Sequence, residues 1–151
     1  MKKVFVLGMS VLFLWSCNNT SEKATAKQET EIQAEHQHDE SSEAIELNNG
    51  EKWLVNEEMK PFVVKGEELV NSYIQNKQTD YKALAQQLIE QNNQLIKSCT
   101  MNGKSHDELH KWLHPHLEIV NALEEEKDAA KANEIVLQLQ KSYQDYHQYF
   151  N

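Results

Sequence analysis

From about residue 56 onward, apolar positions recur every three or four residues, the spacing that lines one face of an α-helix. Met59, Phe62, Val63, Gly66, Leu69, Val70, Tyr73 and Ile74 mark a first helix, with Asn56 as its expected cap and Glu57 and Glu58 in its first turn. Thr79 or Asp80 caps a second, carrying Tyr81, Leu84, Ala85, Leu88, Ile89, Asn92, Leu95, Ile96 and Cys99. The pattern breaks over Met101-Asn102-Gly103-Lys104, where Gly103 is the natural turn residue. Ser105 then caps a third helix with an inner stripe of His106, Leu109, Leu113, His116 or Leu117, Val120 and Leu123. Pro115 lies inside that stripe and predicts a kink or broken turn near Lys111 and Trp112. A fourth helix follows Lys127-Asp128 with Ala132, Ile135, Val136, Leu139, Tyr143, Tyr146, His147 and Phe150. Four helices joined by short loops predict an all-α, antiparallel up-down-up-down four-helix bundle over residues 47–151. Its lead-in, Leu47 to Asn56, is extended or turn-like, with Trp53 as an anchor.

The amino-terminal stretch has a different pattern. Lys2 and Lys3 precede an apolar run from Val4 to Trp15 that is shorter than the ~20 residues of a membrane span. A charged start, a short apolar segment and Ser16-Cys17 together read as a secretory signal over residues 1–16. Leu14-Trp15-Ser16-Cys17 resembles the bacterial lipobox, which implies that Cys17 is lipidated and anchors the chain to a membrane of the cell envelope. That places the protein facing the periplasm or on the cell surface. Residues 17–46 are polar and poor in core-forming side chains, and are expected to be a disordered tether. His36 and His38, flanked by Glu35, Asp39 and Glu40, read first as part of that solvated linker, with loose metal scavenging as the alternative.

Charge narrows the function. The formal net charge is −9, and more negative once Lys2 and Lys3 leave with the signal, so nucleic acid would be repelled. Every basic residue is a lysine; without arginine there is no bidentate clamp for phosphate or carboxylate. No glycine-rich phosphate loop or Gly-x-Ser-x-Gly elbow occurs, and no spacing offers a nucleophile with its base and orienter, so the chain does not read as an enzyme.

Candidate chemistry concentrates between Cys99 and His116, which hold one thiol, one thioether and four imidazoles. These are the soft and borderline donors that bind copper or zinc. If Cys17 carries lipid, Cys99 is the only thiol left and no internal disulfide is available to it. His106 and His110 are four residues apart and share a helical face. His114 and His116 straddle Pro115, so at most one joins that face. In His106-Asp-Glu-Leu-His110 the glutamate stands third, not second, and the zinc-protease pattern is absent. The bundle topology gathers Met59, Cys99, Met101, His106, His110 and His147 at one pole. Cys99, Met101, His106 and His110, with Met59 as a further thioether, form the candidate metal ligands. Thiolate and thioether favour Cu(I), and a mixed cysteine-histidine set also suits Zn(II).

The run Cys-Thr-Met-x-Gly-x-x-His-Asp-x-Leu-His-x-Trp-Leu resembles a motif of small lipoproteins and periplasmic proteins of Bacteroidota, some associated with heavy-metal or copper handling. Cys99, Met101, Gly103, His106, Leu109 and His110 carry the likeness, which extends over most of residues 47–151. It implies an exported helical domain with a capacity for copper. The expected function is a membrane-tethered periplasmic protein that buffers copper or relays it to a metal-transport partner. Two alternatives stay open. One is a non-catalytic envelope interaction domain presenting Trp112 and the tyrosines. The other is a haem bundle using Met59 and a histidine of the third or fourth helix.

Overall fold

The computed structural model describes residues 44–151. The expected signal segment 1–16, Cys17, and His36 and His38 of the tether lie outside the described residues. Within them the predicted helices are present as α1 (Lys60–Gln75), α2 (Tyr81–Ser98), α3 (Lys104–Glu125) and α4 (Ala129–Tyr149). Each helix packs on the next and α4 closes back on α1, giving an all-α four-helix bundle with α2 and α4 touching across its diagonal. No helix among the described residues is long and apolar enough to cross a membrane.

The predicted stripes face inward. Val63, Val70 and Tyr73 of α1, Leu84, Leu88 and Leu95 of α2, Leu109, Leu113, Val120 and Leu123 of α3, and Val136, Leu139 and Tyr143 of α4 form the core. Burying these side chains supplies most of the stability of helices whose isolated segments would be marginal in water. Asp80 caps α2 by accepting from the Ala83 N–H at 3.0 Å, and Asp128 caps α4 by accepting from Ala130 and Lys131.

Three local expectations are corrected. Asn56 does not cap α1, which begins at Lys60 with Met59 as its cap residue and Pro61 in its first turn. A helix starting from Asn56 would need an N–H at position 61 that proline lacks, whereas a proline in the first turn costs nothing. Ser105 does not cap α3. Gly103, at φ 63°, takes that position, and its carbonyl accepts from His106 and Asp107 at 2.9 and 3.1 Å. Nor does Pro115 break α3, which is assigned without interruption over its whole length. Pro115 is exposed while Trp112, Leu113 and His116 around it are buried, so packing on the inner face holds the turn together.

Contacts reach back beyond Leu47. Ile45 packs against the core, and the Glu46 N–H donates to Glu108 at 2.8 Å. Trp53 anchors the lead-in as expected: its N–H donates to Tyr149 O at 2.7 Å and its carbonyl accepts from Asn151 at 3.1 Å. The lead-in therefore lies alongside the end of α4.

Candidate metal centre

Asn56, released from helix capping, holds the loop between α2 and α3. Its side-chain N–H donates to Ser98 O at 2.9 Å, and its side-chain oxygen accepts from the Thr100 N–H at 3.2 Å. These two bonds bracket Cys99, which is half-buried and extended (φ −72°, ψ 118°) where α2 ends. Met101 is likewise half-buried against the core. The backbone then turns at Gly103 and enters α3, whose first turns carry the histidines.

His106 and His110 are brought together. Their Nε2 atoms stand 3.1 Å apart, and the rings meet edge to face with centroids 4.3 Å apart. His114, one turn further on, extends the row: its Nε2 lies 3.0 Å from Nδ1 of His110. The three imidazoles thus form a continuous file along one face of α3, exposed at His114 and half-buried at His106 and His110.

His116 points the other way, into the core. Its Nδ1 is 2.9 Å from Ser142 Oγ, and its ring stacks on Trp112 and meets Tyr143 edge-on. Its Nε2 is buried with no hydrogen-bond partner among the described residues. Burial pushes its pKa down to about 4, so at neutral pH it is an uncharged packing group. His147 lies on the outer side of α4, with Nε2 2.8 Å from a Glu67 carboxylate oxygen. Met59 is only 1 % exposed and packed in the core.

Glu108, also 1 % exposed, sits between the histidines in sequence but faces inward. Burial alone would raise its pKa. The Glu46 N–H, Lys111 at 3.0 Å and Lys104 at 3.4 Å outweigh that, holding the carboxyl below its ordinary value. It is a lock between the lead-in and α3, and its charge is compensated where it stands.

Among the described residues no three His, Cys, Asp or Glu side chains converge as a ready ligand set. Of the predicted ligands, the fold brings His106 and His110 together, sets Cys99 and Met101 on the loop leading into the same helix, and folds Met59 inward. Of His114 and His116, it is His114 that joins the face of His106 and His110, as its four-residue spacing from His110 allows.

The 3.1 Å between the two Nε2 atoms can be set beside the spacing of two nitrogens on one metal ion. A tetrahedral ion with bonds of 2.0–2.1 Å holds two ligand nitrogens about 3.4 Å apart. The observed separation of 3.1 Å corresponds to a nitrogen–metal–nitrogen angle of about 100° with the same bonds.

The chain matches no protein-family model, no curated protein and no solved structure.

Proposed function

We propose that this chain is a lipid-tethered metal-binding protein of a bacterial envelope, which holds copper as Cu(I) at His106 and His110 and buffers it or passes it to a metal-transport partner. The observation that carries this reading is the pairing of two Nε2 atoms 3.1 Å apart on a partly accessible face of α3. Two imidazoles at a bent angle do not complete the coordination of Cu(I) or Zn(II). The soft donors nearest in the chain, the thiol of Cys99 and the thioether of Met101, favour copper in its reduced state. Asn56 fixes the backbone on either side of Cys99, in the loop that leads directly into the helix bearing the two histidines. The envelope location rests on Lys2-Lys3, the apolar run and Leu14–Cys17.

Anaerobic titration of the full chain with Cu(I) against a competing chelator tests the reading, with Zn(II) run alongside. One tightly held equivalent of Cu(I) is expected, and it should survive replacement of both His36 and His38 by alanine. Disappearance of all tight binding in that tether variant would move the metal to the tether and overturn the assignment.

A further inference from the structure

We infer that His114 is the positioning residue of this site, fixing the tautomer of His110 so that Nε2 of His110 presents a lone pair to the metal. The inference rests on the copper reading above and adds to it a residue that does not itself touch the ion.

A neutral imidazole carries one proton on two nitrogens, so it offers one donor and one acceptor. For His106 and His110 to chelate through their facing Nε2 atoms, both protons must sit on Nδ1. Nδ1 of His110 is 3.0 Å from Nε2 of His114, the length of an N–H···N hydrogen bond. With the proton on Nδ1 of His110, His114 accepts through Nε2 and keeps its own proton on Nδ1. The nitrogen of a histidine that binds metal is set by the hydrogen bond made by the other, and here that partner is His114.

Two proton directions along the file satisfy both contacts without metal, and one of them suits the loaded site. His106 donates from Nε2 across the 3.1 Å gap to Nε2 of His110, which donates from Nδ1 to His114. The tautomers of His110 and His114 are then already those the loaded site needs. Only the proton of His106 must move, from Nε2 to Nδ1, when the ion takes its place between the rings. In that direction, which the inference assigns, His114 prepares the half of the chelate that lies next to it.

The test compares full-length wild type with His114→Ala and His114→Gln. Cu(I) is titrated in anaerobically, and the histidine ring nitrogens are followed by 15N NMR before and after loading. Removing the partner of a metal-bound histidine is expected to weaken Cu(I) binding about 10- to 100-fold in His114→Ala, with helicity unchanged. Glutamine, whose side-chain oxygen can accept from Nδ1 of His110, is expected to restore most of the affinity. The wild-type His110 signal should report a proton on Nδ1 both without metal and with it, and His114→Ala should shift the metal-free ring toward the Nε2–H form. Tight wild-type binding with equal affinity in His114→Ala and an unmoved His110 signal would overturn the positioning role alone. Absence of Cu(I) binding by wild type would overturn the copper reading, and the positioning role with it.

Discussion

Lowering the pH from 7 to 4 is expected to cost the bundle about 3 kcal/mol of stability through His116 alone. The folded chain keeps this imidazole neutral, because burial holds its pKa down to about 4 against an ordinary value of 6.5. The unfolded chain takes up the proton near 6.5, so between those values the unfolded state binds more protons than the folded one. Stability therefore rises with pH across this window, is fully present above 6.5, and is lost as pH falls toward 4. Burial is the cause of the shift, and the ring's contacts are with Ser142, Trp112 and Tyr143. Denaturant midpoints measured at pH 7, 5 and 4 for wild type and His116→Phe separate this group from the carboxylates that also titrate. Phenylalanine can keep the stacking, at a cost from the abandoned Ser142 hydroxyl that does not vary with pH. Wild-type stability minus that of His116→Phe should fall by about 3 kcal/mol on going to pH 4, whereas parallel pH profiles would show that His116 is not buried neutral.

Replacing Gly66 by alanine is expected to destabilise the bundle by about 1–3 kcal/mol, against the usual gain of about 1 kcal/mol for this change in a helix. Gly66 is buried on α1 where it meets Tyr143 of α4. A Cβ placed there overlaps the tyrosine hydroxyl and comes within 3.0 Å of Cζ. Tyr143 has little freedom to withdraw, being 2 % exposed and set against His116 and Trp112. The loss should appear as a melting temperature lower by several degrees. Adding Tyr143→Phe to Gly66→Ala removes the overlapping atom, and the pair should recover much of that loss. Failure of the second substitution to help would mean that the close approach of α1 to α4 has another cause.

The helices were legible because the apolar spacing is regular on all four, and the core residues follow from it almost directly. The helix starts were less legible because a capping side chain in the right place is only one competitor for the local backbone. At α1 the missing N–H of Pro61 overruled Asn56, and at α3 the left-handed backbone of Gly103 came in before Ser105. Pro115 misled in the opposite direction, since buried neighbours outweighed a local disruption. Glu108 was unreadable as a buried residue from hydropathy alone, although lysines at 104 and 111 fall at the spacings that can pair with it.

At the site, the His106–His110 pair follows from a four-residue spacing, which helical geometry turns into proximity. What could not be read was the direction of each remaining histidine. His114 and His116 are two residues apart, and that offset alone sends one into the file on the outer face and the other into the core. Asn56 was also hidden, because its two bonds around Cys99 span more than forty residues of chain.

The most direct measurement is the Cu(I) affinity of the full chain compared with that of His106→Ala/His110→Ala, with helicity followed by circular dichroism in both. The account predicts tight binding of one equivalent by wild type and its loss in the double variant, with the bundle still folded because both rings lie outside the core. Unchanged affinity in a folded double variant would contradict it.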